Sequence, residues 1–159
     1  MAEAKTNAAP RIVVGVDGSP SSRAALQWAV RQAVLTAGTV EAVTAYIVPA
    51  GVPGYAWGQG PVAIDVSAER ETDARKALDA VIDEEVTPAD LHQVSTQVVY
   101  GHPAEVLMDA AASADLLVVG SRGHGAFADA LLGSVGQYCV HHAHCPVVIM
   151  RGPRGHKAA

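Results

Sequence analysis

Lysine is nearly missing from this chain. Lys5, Lys76 and Lys157 are the only three in 159 residues, and none lies in a glycine loop. A P-loop needs Gly-x-x-x-x-Gly-Lys-Ser/Thr, so that phosphate-binding device is excluded. Basic residues as a class are outnumbered: Lys plus Arg total 11 against 16 Asp plus Glu, giving a formal net charge of -5. That balance argues against broad, unspecific binding to nucleic acid or to an anionic membrane. Cysteine is scarce. Cys139 and Cys145 are too few for a disulfide framework and are expected to be thiols in a reducing cytosol. No apolar run reaches the roughly 18 residues of a membrane-spanning helix. Met1 to Pro10 is Ala-rich and polar, without the apolar core of a secretory signal. The expectation is a soluble, cytoplasmic protein. Apolar residues, in contrast, are plentiful: 50% hydrophobic against 17% charged, enough to fill a core and to exclude a disordered chain. The length fits one domain.

Apolar runs alternate with helical patterns. Ile12 to Val16 is a β-branched run without polar alternation, as expected of a strand covered on both faces. It ends in Asp17-Gly18-Ser19-Pro20, where Ser19 can cap a helix and Pro20 suits its first turn. Leu26, Ala29, Val30, Ala33 and Val34 then recur at helical spacing, and Gly38 closes the segment. Val40–Val48 reads as a second strand. Pro49 to Pro61, with Tyr55 and Trp57, is the one long irregular stretch, a feature usually tied to function or mobility. A second helix is expected from about Asp65 to Glu85, with Ala74, Ala77, Leu78, Val81 and Ile82 on one face. Val94–Tyr100 is a third strand, Pro103–Ser113 a helix, Leu116–Val119 a strand, Ser134 to about His142 a helix and Val147–Met150 a fifth strand. Five apolar strands interleaved with four helices imply βαβ crossovers and a mainly parallel open sheet with helices on both faces. The domain is expected over residues 11–151, between a flexible N-terminus (1–10) and a C-terminal tail (152–159).

Open parallel sheets bind ligands beyond the carboxyl ends of their strands, where the strand order reverses. The first strand ends at Asp17, and the fourth runs into Gly120-Ser121-Arg122-Gly123-His124-Gly125, a stretch that closes at Gly133-Ser134 before a helix. Gly120, Gly123 and Gly125 allow the backbone to turn successive N–H groups toward one anion. Gly133 permits close approach, and the helix beginning at Ser134 favours phosphate through its unpaired N–H groups and dipole. Arg122 and His124 can add charge-assisted contacts. Each piece also has an ordinary explanation. Ser134 and Gln137 have the spacing of a capping box, and Asp17 alone reads as a turn residue. A dinucleotide fingerprint fails on the letters, because Gly15 and Gly18 are followed by Ser19, Pro20 and Ser21.

Gly120-x-x-Gly123, nine residues, then Gly133-Ser134 resembles the nucleotide-binding signature of the universal stress protein family. Val13-Val14-Gly15-Val16-Asp17-Gly18-Ser19, Gly101-His102-Pro103-Ala104 and His144-Cys145-Pro146-Val147-Val148 are similar to that family as well. The resemblance implies a five-stranded parallel sheet in the order 3-2-1-4-5 and the ATP-binding subgroup. It implies Asp17 beside the adenosine with the Gly15 backbone close by, and Tyr46 or its neighbour Ala45 meeting adenine through backbone groups. Gly120, Gly123, Gly133, Ser134 and Val135 would contact the phosphates. Ser121, Arg122, His124 and Gly125 lie in the same loop at positions the signature leaves open. The family is usually dimeric, often through the fifth strand, here Val147, Val148, Ile149 and Met150; an apolar edge strand invites a partner on physical grounds too.

The expected function is an ATP-binding regulatory or stress-response module, with magnesium as an optional companion of the nucleotide. Hydrolysis is expected to be slow at most, because the loop offers Arg122 but no lysine and no evident base. The rival readings are an adenylyl-transferring enzyme and a sensor of AMP or cyclic AMP. The first lacks a His-x-Gly-His motif near the first strand; the second is not separated by the glycines. Cys139, His141, His142, His144 and Cys145 look like a metal cluster but lack paired ligands from two segments. A helix end with dipole-favoured histidines is preferred. Ser121 lacks the Gly-x-Ser-x-Gly spacing of a hydrolase nucleophile. Asp129 is only a guess as a holder of a phosphate-bound ion, and the downstream partner is not legible.

Overall fold

The computed structural model describes residues 8–49, 66–123 and 132–153. In chain order the elements are β1 (Arg11–Gly15), α1 (Pro20–Thr36), β2 (Thr39–Tyr46), α2 (Val66–Glu85), a short 3-10 turn (Leu91–Gln93), β3 (Val94–Tyr100), α3 (Pro103–Ala111), β4 (Leu116–Gly120), α4 (Ser134–His142) and β5 (Val147–Met150). The five strands form one sheet in the order β3-β2-β1-β4-β5, and every pair is parallel. The expected fold class is therefore the observed one. Pro49–Pro61, Asp65, His124, Gly125 and Asp129 fall wholly or mostly outside the described residues.

The central strand shows why the sheet needs a helical layer on each face. Side chains alternate across a strand, and Ile12, Val13, Val14 and Val16 are all buried. Ile12, Val14 and Val16 join one cluster with Ala25, Leu26, Ala29, Val30 and Ala33 of α1 and Leu78, Val81 and Ile82 of α2. Val13 joins the opposite cluster with Val106, Leu107 and Ala111 of α3 and Cys139 of α4. A continuous apolar strand is the sequence signature of this two-sided burial.

Helix starts follow the local chemistry. Ser19 caps α1, its side chain accepting from the Ser22 N–H, and Pro20 occupies the first turn. The far end of α1 differs from expectation: Ala37, not a glycine, takes the left-handed conformation at φ 52°, and the next N–H, of Gly38, closes on the Ala33 carbonyl at 2.8 Å. Val34 is half exposed and Ala77 is exposed, so both apolar stripes are narrower than their spacing suggested. β2 stops at Tyr46 rather than Val48, and α3 at Ala111 rather than Ser113. The Tyr46 carbonyl turns to the Gly101 N–H at 2.9 Å, which ends the ladder there.

Below the sheet, at the strands' amino ends, Arg11 ties three segments together. Its guanidinium donates to Glu41, to the Ala110 carbonyl at 3.1 Å and to the Ser113 hydroxyl at 3.0 Å. Its backbone N–H reaches Asp115 at 2.9 Å. That leaves the carboxyl rim to carry the cavity.

Candidate functional site

The carboxyl ends of β1 and β4 stand side by side at the point where the strand order reverses, and a cavity of about 570 Å³ opens there. That volume lies in the range of small-molecule sites. Gly15, Val16, Asp17, Ser19 and Ser22 line it from β1 and the turn into α1. Val43 and Ala45 contribute from β2, and Val119, Gly120, Arg122 and Gly123 from β4 and its loop. Pro103 and Leu107 of α3 and residues from Leu132 to Gln137 complete the wall.

Asp17 is exposed and held in place by its own turn. Its Oδ1 accepts from the Ser19 N–H at 2.9 Å and the Ser19 hydroxyl at 2.5 Å. Its Oδ2 lies against the loop, 2.7 Å from where a Cβ on Gly123 would stand. The missing side chain at 123 is what admits the carboxylate. Gly120 has a different reason to be glycine. A Cβ there would stand 2.4 Å from Ser21 Oγ and 2.8 Å from the Ser22 nitrogen, so Gly120 serves the packing of β4 on the first turn of α1.

Accounting for the backbone donors narrows what the rim can grip. The Ser121 N–H donates to the Met150 carbonyl at 2.7 Å, and the Gly133 N–H to the Ser121 carbonyl at 2.7 Å. The Arg122 N–H donates to Ser21 Oγ at 3.3 Å. Gly133 is the N-cap residue of α4. The N–H groups of Ser134, Val135 and Gly136 therefore occupy the first turn, where a helix has no carbonyl to offer them. With the Gly123 N–H, these four have no partner among the described residues, and all four residues line the cavity. They form a nest of donors reinforced by the positive end of the α4 dipole.

The expected site residues thus divide. Gly15, Asp17, Gly120, Arg122, Gly123, Gly133, Ser134 and Val135 are brought to one cavity. Ser121 is not on its wall: it is buried beneath the loop, with both backbone groups bonded. Tyr46 is not on the wall either. Ala45 is, because strand alternation sends neighbouring side chains to opposite faces. The Tyr46 ring packs edge-on to Tyr100 at 5.7 Å, and its hydroxyl points to Glu71 at 3.4 Å. The capping box from Ser134 to Gln137 is not formed, since the cap falls one residue earlier; the Gln137 side-chain amide donates to the Leu132 carbonyl instead, at 2.9 Å. His124 and Gly125 lie outside the described residues.

Sequence reasoning missed Ser19, Ser22, Pro103, Leu107 and Gly136 on the wall, and Ser21 behind it. The hydroxyl-rich run Ser19-Pro20-Ser21-Ser22 was the available signal for the serines. Near the other end of α4, the rings of Tyr138 and His142 stack at 4.0 Å and His142 Nδ1 lies 2.9 Å from the Tyr138 carbonyl. Cys139 and Cys145 are free thiols. Among the described residues no helix is long and apolar enough to cross a membrane.

A family model described as the universal stress protein family matches residues 9–151. The chain is similar to a universal stress protein of Mycolicibacterium smegmatis, 35% identical over 144 residues that make up 89% of this chain and 48% of that protein. It spans about half the length of the curated relatives it matches. Among solved structures it is similar to the universal stress protein UspA from Lactobacillus plantarum, with a TM-score of 0.69 and 23% identity, covering 89% of this chain and 97% of that one. It is also similar to a universal stress protein solved in complex with cAMP, with a TM-score of 0.55 and 29% identity over 91% of this chain and 98% of that one.

Proposed function

Since the chain belongs to the universal stress protein family, we propose that it is an adenine-nucleotide-binding regulatory module of the cytoplasm, with ATP as its ligand. The observation that carries this reading is the set of four N–H groups, on Gly123, Ser134, Val135 and Gly136, that have no partner among the described residues and line one cavity beside Asp17. Main-chain donors at a helix start suit a chain of phosphates. Asp17, at the end of β1, would face the sugar, and the Val43–Ala45 edge with Leu107 would receive the base. Arg122 is exposed at the cavity mouth and would add a charged contact. Magnesium would travel with the nucleotide, with Asp17 the one acid on the wall among the described residues.

The module binds rather than turns over. The loop sequence offers Arg122 but no lysine and no evident base, and hydrolysis is expected to stay below about 1 per second. Self-association through β5 belongs to the same reading. Among the described strands this one pairs only with β4, its residues Val147 to Met150 are all partly exposed, and an apolar edge of this kind is a template for another chain. Sedimentation equilibrium reads that out directly.

Cyclic AMP is the second ligand to weigh, because the 29% identical structure is described in complex with it. Titration calorimetry with ATP, AMP, cyclic AMP and adenosine separates the cases. A hydrogen bond to a charged group contributes about 1.5–3 kcal/mol, so ATP should bind at least about tenfold more tightly than AMP. Tightest binding by cyclic AMP would favour the second ligand. Equal affinity for adenosine and ATP, or no binding at all, would remove the phosphate-cradle reading.

A further inference from the structure

We propose that Ser21 is a positioning residue for phosphate binding: its hydroxyl aims the Gly123 N–H into the cavity. The assignment rests on the nucleotide reading given above and concerns a residue that does not line the cavity.

Ser21 is 4% exposed and sits in the first turn of α1. Its hydroxyl donates to the Arg122 carbonyl at 2.6 Å and accepts from the Arg122 N–H at 3.3 Å. One side chain thus holds both backbone groups of a residue 101 positions away. Ser19 Oγ also lies within 3.2 Å of that carbonyl, but a hydroxyl has one proton. The shorter contact to Asp17 Oδ1, at 2.5 Å, takes it. Ser21 is then the donor to the Arg122 carbonyl.

That carbonyl belongs to the same peptide group as the Gly123 N–H. A planar trans peptide points its C=O and N–H in opposite directions. Anchoring the oxygen against α1 therefore turns the Gly123 N–H away from α1. The Gly123 nitrogen lies 3.8 Å from where a Cβ on Gly133 would stand, on the side of the α4 start. Without the anchor this peptide can rotate at little penalty, because glycine tolerates conformations closed to other residues. Ser21 cannot easily move. Gly120 packs against its side chain on one side, and Gly152 approaches its backbone nitrogen on the other, with an ideal Cβ only 3.3 Å away.

The test compares wild type with Ser21→Ala and Ser21→Cys, the second keeping the shape while losing the strong donor. Affinities for ATP and adenosine are measured by calorimetry, and the Gly123 amide is followed in ¹⁵N–¹H spectra. Both variants should lose about tenfold in ATP affinity with adenosine affinity unchanged. The Gly123 amide resonance should shift with ATP in wild type and stay in place in the variants. If the alanine variant does not fold, the cysteine variant carries the comparison. Equal losses for ATP and adenosine would mean a merely structural role and overturn the assignment, as would unchanged ATP affinity. A wild type that binds ATP no better than adenosine would fail earlier, at the nucleotide reading itself, and take the assignment with it.

Discussion

Two glycines, one ending β4 and one in the loop after it, should respond in different ways to the same added methyl group. In Gly120→Ala the new Cβ would stand 2.4 Å from Ser21 Oγ, 2.8 Å from the Ser22 nitrogen and 2.9 Å from the Ser21 carbonyl carbon. Two of these are backbone atoms of a buried helix start, so α1 must shift against β4. Overpacking of this kind costs about 1–3 kcal/mol. For a chain of this size that lowers Tm by roughly 2 to 12 °C. In Gly123→Ala the Cβ meets, among the described residues, Asp17 alone, at 2.7 Å from Oδ2 and 3.9 Å from Cγ. A carboxylate end can swing aside, so the stability loss should stay within about 0.5 kcal/mol, the usual range for exposed substitutions. The swing does disturb the wall facing the ligand, and ATP affinity should fall about tenfold through one impaired charge-assisted contact. Scanning calorimetry and titration calorimetry on the two variants give four numbers. A normal Tm for Gly120→Ala, or a low Tm with intact ATP affinity for Gly123→Ala, would refute the division of labour argued here.

Other consequences follow from the same geometry. Ala37→Gly should raise stability by about 0.5–1 kcal/mol, because the left-handed conformation at φ 52° is strained for alanine and ordinary for glycine; urea unfolding reads the gain. Arg11→Ala removes the guanidinium that joins Glu41, Ala110 and Ser113 and should destabilise the fold by about 1–3 kcal/mol, measured by the same unfolding curves. The Cys139 thiol is pushed up to about 11, first by burial and then by its neighbour Cys145. A raised thiol value means that the unfolded chain loses its proton first as pH rises. Stability contributed at Cys139 is thus complete below about pH 9 and declines from there toward about pH 11. Unfolding measured across that window in Cys139→Ser, against wild type, isolates the slope.

How much of this was legible in the sequence depends on whether the controlling contact is local. The strand Ile12–Val16 announced two-sided burial by its unbroken β-branched run, and Ser19-Pro20 announced the start of α1. Both are decided by neighbours within a few residues. The cavity's place followed from parallel topology, Gly123 and Ser134 from the spaced glycines ahead of a helix, and Val135 from the family resemblance. What escaped is non-local or turns on a single residue of register. Tyr46 and Ala45 are adjacent letters on opposite faces, and it is the packing of Ala45 with the cluster that holds Leu107 of α3 that puts it on the cavity side. Gly120 looks like Gly123 in the sequence, yet one packs on a helix and the other on a carboxylate. Ser21 acts on Arg122 across 101 residues, a contact no local pattern encodes. The cap of α4 falls one residue earlier because the Gly133 carbonyl, not that of Ser134, accepts the first intrahelical bond, from the Gln137 N–H at 3.0 Å.

A crystal structure with ATP bound tests the central claim most directly. The phosphate oxygens should lie about 3 Å from the nitrogens of Gly123, Ser134, Val135 and Gly136. A triphosphate seated away from these four amides, or one held only by side chains, would contradict it.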